Sequence, residues 1–268
     1  MKMNQNKGPD LLGVCEIENQ YVLEKLVGAL ANLDRNYAIA HHDMSDQRGI
    51  DVAFIYDANW LTMEEMFYHV VMRRTATRDI LQVNFRTSAG NLFVVVGNHW
   101  PSRSGGEEAT EGYRAIAGET LAYFHQRIID VHGEFTPVLA MGDFNDEPSD
   151  ESLVNYALST RSFKKVLNAQ IYRFFNFMWP LFGQAHGTLY FDNAPNLLDQ
   201  FLGNKNIIKD GAKIKILQNT AAILRYEGMV STGTYPVPIP FGGMGKPVNL
   251  DGYSDHYPIS IVATEKTG

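Results

Sequence analysis

The stretch that most constrains how this chain can fold is Val138-Leu139-Ala140-Met141-Gly142-Asp143-Phe144-Asn145-Asp146-Glu147-Pro148. It opens as an unbroken apolar run of the kind that a strand buried on both faces needs. It stops abruptly at Gly142, in carboxylates and an amide. A rigid buried strand ending this way delivers polar groups to one edge of a sheet, which is where α/β proteins place ligand chemistry. "Apolar run, Gly, Asp" also describes many ordinary strand-to-turn exits, so the pattern gains weight only if other strands end alike.

Several do. Leu11 to Cys15 is a short apolar run ending in Glu16-Ile17-Glu18-Asn19, and Val22, Leu23, Leu26, Val27 and Leu30 then recur at helical spacing. Tyr37 to Ala40 is a weak strand entering the polar loop His41-His42-Asp43. Adjacent histidines on an extended chain point to opposite faces, so both are expected to be solvent-exposed loop residues. Arg48 to Tyr56 is a buried-type strand turned by Asp57-Ala58-Asn59, while Leu61 to Met72 fits either a helix or a loop entering a strand. Ile80–Arg86 and Leu92–Val96 read as a hairpin about Ser88-Ala89-Gly90-Asn91, where Gly and Asn tolerate positive φ. Its second arm runs into Gly97-Asn98-His99-Trp100-Pro101-Ser102-Arg103, a second apolar strand ending in polar chemistry.

From Glu107 to about His132 the spacing of Tyr113, Ala117, Leu121, Phe124, Ile128 and Val131 predicts a long helix with acidic residues in its first turn. A helical crossover makes the His99 and Asp143 strands parallel, with both polar ends at one edge. Ser149 to Leu158 reads as a short helix capped by Ser149 or Asp150, and the aromatic stretch Phe163 to Phe182 as a core-covering segment or a substrate-side wall. Asn196 to Leu202 is a strand carrying one conspicuous inward carboxylate, Asp199. Pro236 to Pro247 is a loop able to border a site. In Gly252 to Val262 the pair Asp255-His256 precedes the strand instead of following it. No internal repeat or linker divides the chain, so a single domain over 1–268 is expected.

A formal charge of −7 argues against a basic platform that holds nucleic acid by its own charge, although a bound divalent cation supplies a positive field locally. The single cysteine, Cys15, excludes an internal disulfide and any cysteine-rich zinc site; it is expected to be an inert buried thiol. No stretch has the ~18 uninterrupted apolar residues of a membrane span. Met1 to Asp10 is polar and not a signal peptide, so the chain as given reads as cytoplasmic, and no obligate protein partner is evident.

Five separated segments therefore offer polar groups beside apolar strands: Glu16, His99, Asp143 with Asn145, Asp199, and Asp255 with His256. Carboxylate and amide oxygens without cysteine suit a hard cation such as magnesium, manganese or calcium better than zinc. Two histidines near such a cation suit hydrolysis of a phosphate ester, one handling water and one stabilising charge on phosphoryl or leaving-group oxygens.

"LLGVCEIEN", "VVVGNHWPSR", "MGDFNDEP", "LLDQFL" and "GYSDHYPISI", in this order over roughly residues 8 to 263, resemble the endonuclease/exonuclease/phosphatase superfamily, the DNase I-like metal-dependent phosphoesterases. The fuller wording of "CEIEN", "RGIDVA", "NHWPSR" and "GDFNDEP" is similar to a secreted or periplasmic nuclease-like branch of the Bacteroides type. The resemblance implies an α/β fold, a four-layer α/β sandwich of two mixed β-sheets flanked by helices. It implies Glu16 and Asp255 as metal ligands for Mg2+, with Mn2+ or Ca2+ as alternatives. Asp143 and Asn145 would position the attacking water and the scissile phosphate. His256 would act as general base or phosphate stabiliser, oriented by Asp199 as a His/Asp dyad, and His99 would face the phosphate from the other side.

Ser102 and Arg103 are candidates for holding phosphate. Asp51 either orients His99 or pairs with Arg48. Family members begin with a strand ending in an Asn that contacts the metal or its water, and that strand is expected to be missing ahead of the Glu16 strand. The implied activity is metal-dependent hydrolysis of a phosphodiester, with nucleic acid as first substrate. A small-molecule or lipid phosphoesterase of sphingomyelinase-like or inositol-phosphate phosphatase type is the second reading. A non-catalytic or binding remnant is the third.

Overall fold

In the computed structural model, which describes residues 4–44, 46, 49–242 and 247–266, the apolar runs become strands around two central sheets. The first strands are β1 (Leu11–Ile17), β2 (Tyr37–Ala40), β3 (Asp51–Asp57) and β4 (Leu61–His69). They are followed by β5 (Ile80–Thr87), β6 (Leu92–His99), β7 (Val138–Asp143), β8 (Ser159–Thr160) and β9 (Phe174–Asn176). A small hairpin, β10 (Leu189–Phe191) with β11 (Ala194–Asn196), precedes β12 (Asp199–Asn204). The larger sheet has the order β4-β5-β6-β7-β12-β9-β8, and the smaller β1-β3-β2. Near the carboxyl end β13 (Ile214–Ile216) pairs with β16 (Ala263–Glu265), and β14 (Ala222–Ile223) with β15 (Ile259–Ser260).

Side-chain alternation on the strands sets the layers. On β3, Val52, Phe54 and Tyr56 face the larger sheet and pack with Leu81, Val83, Phe85, Val95, Leu139 and Phe201. Ala53 and Ile55 point the other way, onto Leu23 of helix α1 (Gln20–Ala29), whose first turn is capped by the Asn19 side chain accepting from Val22 N–H. The far face of the larger sheet puts Val94, Val96, Val138, Ala140 and Leu202 against Ala117, Leu121 and Ile128 of helix α2 (Glu107–His132). Helix, sheet, sheet and helix thus make the expected four layers. Each fully buried Leu, Val or Phe contributes roughly 1.5–3 kcal/mol. The smaller sheet is antiparallel, so only the larger one is mixed.

As the helical crossover requires, α2 leaves β6 and β7 parallel, with Val94 opposite Val138 and His99 opposite Asp143. Of the two readings of the piece from Leu61, the helix is wrong and the strand is right, but the strand begins at Leu61 itself with no loop before it: it is the edge strand β4, with a bulge between Met63 and Glu65. The aromatic stretch covers the core: Phe174, Phe175 and Phe177 are buried. His41 corrects its expectation. Its ring is buried, with Nε2 3.0 Å from the Asp51 carboxylate, which also accepts from Met44 N–H. Arg48, the other partner considered for Asp51, lies outside the described residues, as do residues 243–246 of the Pro236–Pro247 loop.

His125 of α2 is buried and stacked on Phe174 with ring centroids 4.1 Å apart, and its Nε2 has no partner among the described residues. Burial pushes its pKa down from 6.5 to about 3. The unfolded imidazole gains a proton below about pH 6.5 and the folded one only near pH 3, so stability falls with pH through that window. His125→Leu removes this dependence. Urea unfolding at pH 7 and pH 5 should show the variant losing on the order of 1–2 kcal/mol less than the parent between the two pH values. Equal losses in both would place the acid sensitivity elsewhere.

Candidate active site

Strand register assembles the centre. Asp143 ends β7 and stands opposite His99 at the end of β6 on one side and Asp199 at the start of β12 on the other. Three adjacent strands therefore place two carboxylates and an imidazole in one row across the sheet edge. The His99 Nε2 to Asp143 Oδ2 distance is 3.6 Å. The chain then leaves the sheet sharply: Gly142 has φ 130 and Asn145 φ 52, both in the left-handed region. That turn folds Asn145 back, so its backbone N–H donates to Asp143 Oδ1 at 2.8 Å. Its side-chain amide donates to Asp143 Oδ2 at 2.9 Å and to the Trp100 carbonyl at 3.0 Å.

His256 arrives from the segment before β15, and its Nδ1 lies 2.7 Å from Asp199 Oδ2. With Nδ1 held, Nε2 is the nitrogen left for water or substrate. Burial opposes charge on this ring, but the charge and hydrogen bond of Asp199, with Asp143 and Asp255 beyond, override it and raise its pKa well above 6.5. Asp143 is raised above the ordinary carboxylate range, first by burial and then by the Asp199 charge, against the pull of His256, the Asn145 N–H and Arg78.

Asp143, Asp199 and His256 offer ligand atoms within 4.8 Å of one another, so this trio can hold a metal ion on distance alone. The direct 2.7 Å contact between Asp199 and His256 instead marks them as a hydrogen-bonded dyad. Glu16 and Asp255 are exposed, and neither forms an ion pair among the described residues. They do not join a group of three close ligand atoms there either. Glu16 sits at a bulge of β1 between Val14 and Ile17, with φ 60. The preceding Cys15 thiol donates to the Asn98 carbonyl at 3.6 Å, which sets the end of β1 beside the end of β6. Cys15 is half-buried, and burial and the Asp143 charge push its thiol pKa strongly up, which favours the neutral form. Exposed carboxylates with no ion pair among the described residues suit a hard divalent cation.

Arg103 differs from its expected role of holding phosphate. Its guanidinium donates to the Asn145 carbonyl at 2.7 Å and to Asp146 and Asp150 at 3.2 and 2.8 Å, and pairs with Glu107 at 2.9 Å. These bonds fix the turn that carries Asn145 and leave little of the guanidinium for a ligand. Ser102 is half-buried and stays available.

Three supporting residues were not anticipated. Arg78 is buried and donates to the carbonyls of His99 and Trp100 at 3.2 and 2.6 Å, holding the end of β6. Thr188 accepts through Oγ1 from the N–H groups of Leu198 and Asp199, while its carbonyl accepts from Tyr257 N–H. One residue thus clamps both halves of the His256/Asp199 dyad. Asp146 is buried; it accepts from Arg103 at 3.2 Å and from Ser152 Oγ at 2.6 Å, and forms an ion pair with Arg114 Nε at 2.6 Å. The charged pair Arg78-Asp79 directly before the Ile80 run was a sequence signal for Arg78. No comparable local signal marked Thr188.

The sequence matches the model of the Endonuclease/Exonuclease/phosphatase family over residues 1–265. No curated protein matches it. Among solved structures, D. rerio TDP2 complexed with a single-strand DNA product is similar at TM-score 0.61 and 15% identity, covering 96% of this chain and 86% of that one. The human Nocturnin catalytic domain with bound sulfate is similar at TM-score 0.59 and 16% identity, covering 95% and 82%. The mannosyl-6-phosphatase of Bacteroides thetaiotaomicron VPI-5482 is similar at TM-score 0.58 and 15% identity, covering 98% and 88%. At such identities the likeness is one of fold.

Proposed function

The chain belongs to the Endonuclease/Exonuclease/phosphatase family, and from that premise we propose that it hydrolyses phosphodiesters by divalent-metal-assisted, in-line attack of water, with nucleic acid as the preferred substrate. The observation that carries this reading is the row His99, Asp143 and Asp199 at one sheet edge, with His256 bonded to Asp199 at 2.7 Å. Glu16 and Asp255 would hold the cation, which when bound supplies positive charge to the phosphoryl oxygens. His256 Nε2 handles the proton of the attacking water or meets a phosphoryl oxygen, and Asp199 fixes the ring for either task. Asp143 and Asn145 set the position of water and phosphate between His256 and His99. His99 faces the phosphate from the β6 side and favours charge on the leaving oxygen.

A small-molecule or lipid phosphoester is the second reading. The formal charge of −7 and the exposed apolar side chains Phe241, Leu250 and Tyr253, on the segment leading to His256, favour it. Among the fold relatives, one was solved with a DNA product and one is a sugar phosphatase, so both substrate sizes occur on this fold.

Salt separates the two. Cleavage of plasmid DNA with Mg2+ should weaken steeply between 50 and 200 mM NaCl, about tenfold or more, because contacts to several phosphates release counterions. A flat salt response, or no DNA cleavage beside turnover of a small phosphomonoester, would move the assignment to the second reading.

A further inference from the structure

The net charge of −7 is unevenly spread: no Asp or Glu occurs from Ser152 to Phe191, a span that carries Arg161, Lys164, Lys165 and Arg173. The fold gathers most of these cations, with two more, at one corner. Asn204 ends β12 opposite Phe174 of β9, so Arg173 and Lys205 take adjoining positions where that pairing stops. Lys205 begins the short helix α4 (Lys205–Ile208), and the short helix α3 (Phe163–Leu167) packs beside it with Lys164 and Lys165 exposed. Asn206 of α4 donates to the carbonyls of Glu134 and Thr136 at 2.8 and 2.9 Å, which ties α4 to the connection between α2 and β7. The corner lies at the end of β12 away from Asp199, roughly 17 Å along the strand. Lys164, Lys165, Arg173, Lys205 and Lys209 form no ion pair among the described residues. Of the acids that adjoin these segments in sequence, Asp210 pairs with Lys215 at 2.6 Å, which leaves Glu134. Two of the cations lie over aromatic rings: Lys205 Nζ is 5.3 Å from the Tyr172 centroid, and Lys209 Nζ is 4.9 Å from that of Phe135, which is 71% exposed. Uncompensated cations interleaved with an accessible ring suit a single strand of nucleic acid, which offers backbone charge and unpaired bases that stack.

We propose that this corner is an exosite for single-stranded nucleic acid, in which the five cations track backbone phosphates and Phe135 stacks an unpaired base. The inference rests on the nucleic-acid reading above and deepens it. A strand held at the corner stays tethered near the row of His99, Asp143 and Asp199, so long strands gain over short ones.

The test is binding of a fluorescein-labelled oligothymidylate of about twenty nucleotides to the whole chain, read by fluorescence anisotropy in EDTA so that no cleavage intervenes. In the triple variant Lys164→Gln, Lys165→Gln, Lys209→Gln, Kd should rise at least about tenfold. The slope of log Kd against log salt should flatten by about two, since each contact to a single-stranded phosphate contributes about 0.7. Phe135→Ala should raise Kd about tenfold with the slope unchanged. Lys25→Gln removes a like cation elsewhere, one that lies 4.9 Å over the exposed Tyr21 ring on α1, and should bind as the parent does. No binding by the parent, equal Kd in the triple and Lys25 variants, or an unchanged Kd in Phe135→Ala would overturn the exosite. The last of these, joined to lysine-dependent binding of phosphatidylserine vesicles, would make the corner a membrane contact instead. Because binding is read without turnover, a chain that holds the strand through these residues but cleaves no DNA overturns the nuclease reading and supports the exosite. One that cleaves DNA while all variants bind alike overturns the exosite alone. Matching urea midpoints for parent and variants guard against a misfolded protein.

Discussion

His256→Ala is expected to lower kcat/KM for a phosphodiester by about three orders of magnitude. The side chain has one nitrogen bound to Asp199 at 2.7 Å and one left for the reaction, so its removal deletes both the proton carrier and the charge that faces the phosphate. The fold should survive. The backbone on either side is held independently, since Thr188 accepts from Asp199 N–H and from Tyr257 N–H, and Tyr257 is buried with its hydroxyl donating to the Pro236 carbonyl. Asp199→Asn should cost less, because it leaves the imidazole in place and removes only its orientation and the carboxylate's charge. The double variant should be little worse than His256→Ala alone, as expected of groups that act as one unit. Steady-state kinetics beside circular dichroism check all three. Additive losses would mean that the pair does not work together.

Gly142→Ala carries the largest expected loss of stability. The residue sits in the parallel β6/β7 ladder opposite Asn98, at φ 130, and a Cβ there would lie 2.1 Å from the Asn98 carbonyl oxygen. That neighbour is backbone in the centre of a seven-stranded sheet, so it cannot swing aside as a side chain would. Relief requires the two strands to part where His99 and Asp143 are positioned. The combined strain and lost pairing should cost about 3–5 kcal/mol, at the exceptional end for one methyl group. Urea denaturation measures it, and whatever protein remains folded should be nearly inactive. A loss below about 1 kcal/mol would show that the strand exit is softer than its geometry implies.

What the sequence made legible, and what it hid, follows from the range of the interactions concerned. Helix α2 was legible because a 26-residue amphipathic pattern with acidic residues in the first turn is a local signal. His99, Asp143 and Asp199 were legible because buried apolar runs that end in polar groups leave few other placements. The edge strand β4 was not, for a specific reason. The bulge between Met63 and Glu65 adds a residue, so Met63 and Met66 pack on the same core at a spacing of three, which imitates a helix. The buried His41–Asp51 pair and the enclosure of Arg103 by Asp146 and Asp150 depend on chain segments 10 to 47 residues apart. No local pattern announces such pairs. Glu16 and Asp255 stood out as polar groups beside apolar strands, but their metal-ligand role came only from the family resemblance, and strand patterning alone does not specify the exposed positions they take.

The most direct measurement is the rate of bis-p-nitrophenyl phosphate hydrolysis by the purified chain with Mg2+ or Mn2+, after EDTA, and on adding the metal back, in the parent and in Glu16→Gln and Asp255→Asn. The account predicts turnover that EDTA abolishes and metal restores, with each variant needing at least about tenfold more metal for half-maximal rate. Turnover indifferent to EDTA, or variants that saturate with metal as the parent does, would contradict it.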